Sequence, residues 1–223
     1  MEVIGVERLS PEENMRRDEE ALLSFEKNPT KTPKVRLYRW DRVCLSLGYF
    51  QRDKPFLSIP AVRRPTGGGA LLHGWDISFS IVDSRERWGT QTSKIYRKVA
   101  ELFRHVFSEL GVEVKLERFR GRYLDNFFCF WVPTLGELSV DGRKVVSMAM
   151  RTLRRSFLVH GSVYTDFDYK KAAEMLGVPE ELLRDRIVSL RELGISEEDF
   201  LESIKKVFVM VAGEGFEPST SGL

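Results

Sequence analysis

The sequence predicts an α+β domain built on a mixed, largely antiparallel β-sheet flanked by helices. Three observations predict it. One helical segment opens the chain, several strands follow, and a second group of strands precedes the terminal helices; that order keeps helices and strands in separate blocks. Asp141-Gly142 stands between "GELSV" and "KVVSMAM", a strong two-residue hairpin signal and so an antiparallel pair. Between the strand groups, Ile95, Val99, Leu102, Phe103, Val106, Phe107 and Leu110 recur at three- and four-residue spacing, the pattern of a helix with one buried face.

From the N-terminus, Ser10 suits an N-cap, Pro11 the first helical position, and Glu13 completes a capping-box spacing. Leu22, Leu23 and Phe25 are apolar while the front half of this helix is charged, so half of it should face solvent. "KVRLYRW" (34–40) and "VCLSLGYF" (43–50) flank Asp41-Arg42 and read as a hairpin or two neighbouring strands. "QRDKPFLSIPAV" is a proline-bounded loop or short helix. "ALLHGWDISFSIV" (70–82) is strand sequence interrupted near Gly74. Gly111 ends the long helix. "VEVKLERF" follows as a strand with Val112, Val114 and Leu116 on one face, and "SFLVHGSVYT" (156–165) is another. "YKKAAEMLG" is helical, as is the segment capped by Ser196 with Glu198 and Asp199 in its first turn. Residues 1–212 are expected to form one domain, and the polar 213–223 a disordered tail. The Gly-Phe-Glu-Pro of that tail can be encoded by codons resembling a transfer-RNA gene arm; a genome without such a gene there would refute that origin.

The chain has 223 residues, 42% of them hydrophobic, with fifteen Phe and four Trp, enough for a substantial core. Lysine plus arginine (35) nearly balances aspartate plus glutamate (33), so net charge gives no nucleic-acid signature. Two cysteines, Cys44 and Cys129, do not make a disulfide framework or a metal-type CxxC. No signal peptide and no apolar run of about 20 residues is evident. The expectation is a cytoplasmic protein without membrane, nucleic-acid or metal association.

Chemistry-bearing residues are few. "RRPTGGGALLH" (63–73) places Gly67, Gly68 and Gly69 between two arginines and His73. The ordinary meaning of such a run is a tight turn. Neither GxxxxGK[ST] nor GxGxxG is present; what remains is a backbone wall that can approach a thin ligand or offer amides to an oxygen. Arg63 and Arg64 could hold an anion or be solvated charges. Of the three histidines, His105 lies on the charged side of the long helix, while His73 and His160 sit beside glycine at strand edges. Cys44, in an alternating strand, reads as buried. Cys129, in "NFFCFWVP", reads locally as a small buried hydrophobe. Lys144 reads as an exposed edge charge unless it points inward, where desolvation would let it exchange protons.

Taken together, "ENMRRDEEALL" (13–23), "VRLYRWDRVCLSLGYFQ" (35–51), "RRPTGGGALLHGWDISFSIV" (63–82), "VDGRKVVSMAMR" (140–151), "LVHGSV" (158–163) and "RIVSLRELG" (186–194) resemble the transferases and ligases that attach lipoyl, octanoyl or biotinyl groups to protein lysines. The resemblance covers residues 10 to 210 in the right motif order. It implies a biotin-ligase/class II synthetase-like catalytic core, with an acyl chain lying along the glycine wall. Arg64, Thr66, Gly67, Gly68, Gly69, Ala70, His73, His160, Gly161 and Ser162 are then the expected substrate-binding residues. One octanoyltransferase branch has a cysteine in a Cys-Phe-x-x-Pro-Ser segment before the lysine motif. "CFWVPTLGELSVDGRK" (129–144) fits that spacing, with Thr134 for serine, which makes Cys129 the expected nucleophile and Lys144 its catalytic partner.

The activity implied is octanoyl transfer from acyl carrier protein to a lipoyl-domain lysine, of the glycine cleavage H protein or a 2-oxoacid dehydrogenase E2, without a cofactor. The alternatives are an ATP- and Mg-dependent lipoate ligase, in which Lys144 binds the acyl-adenylate, and a non-catalytic acyl-binding paralogue. Two departures stand out. Ser147, Met148, Ala149 and Met150 replace a Gly-Ser-Ala-Gln-type run, and Gly74 replaces the aspartate that commonly follows the motif histidine. The arginines of "ERFRGRY" (117–123) and "RTLRRS" (151–156) could steer acidic partners or be solvated charges.

Overall fold

The structure, a computed structural model, describes residues 5–52, 58–117, 126–131 and 136–214. Its elements run β1 (Glu7–Leu9), α1 (Pro11–Lys27), β2 (Lys34–Trp40), β3 (Cys44–Leu47), β4 (Ala61–Arg63), β5 (Leu71–His73), β6 (Asp76–Ser84), α2 (Arg85–Trp88) and α3 (Thr92–Glu109). Then come β7 (Lys115–Leu116), a one-turn 3-10 helix (Cys129–Trp131), β8 (Leu138–Val140), β9 (Arg143–Thr152), β10 (Ser156–Tyr164), α4 (Tyr169–Leu176), α5 (Glu180–Arg184) and α6 (Glu197–Glu214). Among the described residues, seven strands form one sheet, β1-β2-β6-β10-β9-β8-β7, and three form a second, β4-β3-β5. Only β1–β2 and β3–β4 pair in parallel. The mixed, mostly antiparallel sheet expected from the sequence is present.

Local chemistry fixes the ends of these elements. Ser10 accepts a hydrogen bond from the Glu13 amide at 3.2 Å and opens α1. Asp141 (φ 49) and Gly142 (φ 78) adopt the two left-handed conformations that a tight hairpin requires, joining β8 to β9. The seven α3 positions named above behave as one face: six are buried and Leu110 packs beside them, against Leu37, Phe79 and Ile81 of the sheet and Phe200 and Phe208 of α6. Leu22 and Phe25 of α1 cover the opposite sheet face at Val82 and Leu158.

Both strands expected within 34–50 form, but as neither a hairpin nor neighbours in one sheet. β2 pairs with β1 and β6, whereas β3 crosses to the second sheet. Asp141 is the one non-glycine with positive φ among the described residues, so Asp41-Arg42 lacks the backbone of a two-residue hairpin. Every residue of β3 is buried, which demands cover on both faces. The strand expected over "VEVKLERF" is reduced to Lys115–Leu116. Helix α6 runs to Glu214, two residues past the expected domain boundary; 215–223 lie outside the described residues.

Candidate active site

The main sheet has two unlike faces. Phe79, Ile81, Val159 and Val163 point to α3 and α6. On the other face the register sets Ser80 opposite His160, Ser78 opposite Ser162, and Ser162 opposite Ser147. Small polar side chains there leave room between the two sheets. A cavity of about 300 Å³ occupies it, lined by Trp40, Leu71, Phe128, Tyr96 and Met15 with Cys129, His73, His160, Arg64 and Gly67–Gly69.

The three glycines answer to different neighbours. A Cβ on Gly69 would stand 2.9 Å from the Cys129 amide nitrogen and 3.0 Å from the Phe127 carbonyl oxygen. Gly69 is thus bare because the cysteine-bearing segment lies against it. That segment is bonded there through Ala70, whose amide donates to Phe127 O (2.7 Å) and whose carbonyl accepts from Cys129 N (2.9 Å). Ala70 is fully buried and holds Cys129 in place rather than lining the cavity. Gly68 has φ +96, while a Cβ on Gly67 would meet nothing within 4 Å. Of the three, only Gly67 faces open space on the cavity wall.

Arg64 is neither an anion clamp nor a solvated charge. It is 6% exposed, and its guanidinium donates to the carbonyls of Ser46 (2.8 Å), Gly67 (2.7 Å) and Gly69 (2.7 Å), bracing the glycine loop from within. Arg63, on the surface, donates to the carbonyls of Gly48 (2.8 Å) and Gln51 (2.6 Å).

Both motif histidines are buried in matched polar chains. His160 bonds Asp18 through Nδ1 (3.0 Å) and Thr66 through Nε2 (2.6 Å). His73 bonds Asp76 through Nδ1 (2.9 Å) and Ser46 through Nε2 (2.8 Å), and stacks on Trp40 at 4.0 Å. His73 thus ties the second sheet to the main one at Asp76, and His160 ties the main sheet to α1 and the glycine loop. Burial lowers the His160 pKa against the pull of Asp18, so its neutral form is favoured. Burial alone would raise the Asp76 carboxyl, but His73, Ser162 and the Gly74 amide hold it below the ordinary range. Asp76, two residues after Gly74, accepts from the Gly74 amide at 2.9 Å. Asp18 also accepts from Arg36 (2.5 Å) and Tyr38 (2.9 Å).

Cys129 opens the 3-10 turn and lines the cavity, partly exposed. Cys44 is buried, as expected, and His105 is exposed beside Glu101. Lys144 points inward and is 7% exposed; its Nζ donates to the Cys129 carbonyl at 2.6 Å and pairs with Glu137 at 2.7 Å. It stands behind the wall that Cys129 and Glu137 form. Burial raises the Cys129 thiol above its ordinary pKa. Lys144 and Arg64 oppose that and Glu137 adds to it, so the lysine does not produce the net lowering that its charge alone would give.

Ser147, Met148, Ala149 and Met150 all line the cavity. Beyond Val146 no described strand pairs with the outer edge of β9, which lets Met148 and Met150 reach it from the other sheet face. Gly161 and Ser162 line it too, whereas Thr66 contributes through His160. Pro133, Thr134 and all three arginines of 117–123 lie outside the described residues; Arg151 and Arg155 pair with Glu19 and Glu26.

Residues 10–209 match the model of the lipoyl protein ligase A/B catalytic domain. The chain belongs to that family. Within the family it is 32% identical to octanoyltransferase LipM of Kyrpidia tusciae, over 92% of this chain and 84% of the relative. It is 31% identical to LipM of Bacillus subtilis, over 93% and 82%. A lipoate-protein ligase A bound with ATP has the same fold, with TM-score 0.72, 21% identity and coverage of 93% and 85%. So does a putative lipoate protein ligase from T. acidophilum with bound lipoic acid, with TM-score 0.69, 19% identity and coverage of 93% and 83%. This member of the lipoyl protein ligase A/B family is an acyltransferase.

Sequence reasoning passed over Glu137, Asp18, Asp76 and Ser46. Asp18 sits among ordinary charges in sequence and only burial marks it, whereas Asp76 stands alone in an apolar stretch three residues after His73. Glu137 carried one usable signal: an acidic residue immediately before an apolar strand that must place it indoors.

Proposed function

We propose that the protein transfers an octanoyl group from acyl carrier protein to a lysine of a lipoyl-domain protein, through an acyl-enzyme on Cys129. The observation that carries this reading is the convergence of Cys129 and Lys144. The Cys129 thiol lines the cavity, and the buried Lys144 ammonium holds that residue's own backbone carbonyl at 2.6 Å, beside the glycine loop. The octanoyltransferase relatives support the acyl group, and their name ties it to this family's lipoyl chemistry.

Cys129 attacks the donor thioester; a new C–S bond forms as the old one breaks, and the thiol proton passes to the departing carrier thiol. One thioester replaces another, so the exchange needs no ATP. The acceptor lysine then converts the thioester into an amide. Trp40, Leu71, Phe128 and the methionines favour the acyl chain by roughly 0.8 kcal/mol per buried methylene. Lys144 orients the Cys129 segment and supplies positive charge near the developing oxyanion. Acceptors of this class are the glycine cleavage H protein and 2-oxoacid dehydrogenase E2.

The test is intact mass after incubation with octanoyl-carrier protein. The expected result is an octanoyl adduct on Cys129 without ATP, transferable to a lipoyl domain and absent from Cys129→Ala. Product that needs ATP, Mg and free acid, and persists in Cys129→Ala, would assign the ligase reaction instead.

A further inference from the structure

Glu137 has no role in the scheme above, yet it is the carboxylate of the site. It is 1% exposed, immediately precedes β8, lines the cavity with Cys129, and pairs with Lys144 at 2.7 Å. A carboxylate is not desolvated to that degree without a partner, and the lysine is one such partner. The arrangement puts a base on the cavity wall and an acid directly behind it.

We propose that Glu137 is the catalytic base of the second half-reaction, accepting the proton that the acceptor lysine amine loses when it attacks the Cys129 thioester. This rests on the acyl-enzyme reading of the preceding section. The atoms balance as follows. The amine nitrogen bonds to the acyl carbon, the C–S bond breaks, and the electron pair leaves on Cys129 sulfur. Glu137 takes the amine proton, and Lys144 gives one of its own to the thiolate. Glu137 then returns its proton across the 2.7 Å contact to Lys144, restoring carboxylate, ammonium and thiol. No proton is gained or lost, and no co-reactant is needed.

Among the described residues, Lys144 of β9, Arg64 of the glycine loop, Glu137 and Tyr164 of β10 act electrostatically on Cys129, and Ser147 lines the cavity with it. Tyr96 of α3 lines the same cavity. Of these, Glu137 is the carboxylate, and it is the group that raises the thiol pKa by its charge. Removing that charge therefore has two opposite consequences. The free thiol becomes more reactive, while transfer to the amine loses its base. A structural defect would depress both.

The experiment uses the full chain and follows the two half-reactions separately by intact mass, with octanoyl-carrier protein as donor and a lipoyl domain as acceptor. In Glu137→Gln, the octanoyl-Cys129 adduct is expected to accumulate in the presence of acceptor, with transfer slowed about 100-fold or more. Iodoacetamide alkylation of the free thiol is expected to speed up, with its pH profile displaced to lower pH. Glu137→Asp is expected to recover part of the transfer rate, and it also tests the role if the glutamine variant does not fold. Transfer at the parent rate in Glu137→Gln, or alkylation and transfer slowed together with no recovery in Glu137→Asp, overturns the proposal. A parent protein that forms no Cys129 adduct at all removes the acyl-enzyme reading, and this proposal with it.

Discussion

Thr66 Oγ1 and His160 Nε2 lie 2.6 Å apart across 94 residues of sequence. The contact joins the glycine loop to the centre of the main sheet. Thr66→Val keeps the shape and removes the hydroxyl, leaving a buried ring nitrogen unpaired, at a cost of about 1–3 kcal/mol. The denaturation midpoint should fall with an unchanged slope. An unaltered midpoint would mean that Nε2 has found another partner.

The same histidine makes stability depend on pH. Burial lowers its folded-state pKa below the ordinary histidine value, which is about 6.5. Below that pH the unfolded chain takes up a proton that the folded protein refuses, so this contribution is complete above about pH 6.5 and lost as pH falls. Denaturation measured from pH 8 to pH 5.5 should show the decline, and His160→Gln should flatten it. A parent curve level across that range would contradict the buried neutral ring.

The glycines should separate by position. Gly69→Ala drives a methyl into the backbone of the Cys129 segment, costing about 1–3 kcal/mol and displacing Cys129. Gly48→Ala should be at least as damaging, since its Cβ would overlap the Gly68 carbonyl. Gly67→Ala meets no protein atom, so its melting temperature should be unaffected while acyl transfer falls. Equal stability losses at Gly67 and Gly69 would count against this division.

Lys144→Met removes the ammonium 2.7 Å from buried Glu137, and the expected loss is about 3–5 kcal/mol. Lys144→Met combined with Glu137→Gln removes both charges and should recover much of that stability without recovering transfer. A double variant no more stable than Lys144→Met would show that the pair does not couple.

Much of the architecture was legible because it rests on local rules. The α3 stripe, the Ser10 cap and the Asp141-Gly142 turn each depend on residues within a few positions of one another, and each appears where the pattern put it. The 34–50 hairpin failed because strand pairing is a competition among all edges. β2 already has partners on both sides, which no local pattern reveals.

The sequence by itself determined the family, the motif order and the residue types of the site, because motif chemistry is written in neighbouring positions. Only the tertiary structure decided what those residues do to one another. It turned Arg64 inward as a brace, pressed Gly69 against the Cys129 segment, left Gly67 facing open space, and brought Glu137 against Lys144. Those outcomes depend on which surfaces are buried together, and in a desolvated space an unpaired charge or an extra methyl costs too much for any other arrangement to persist.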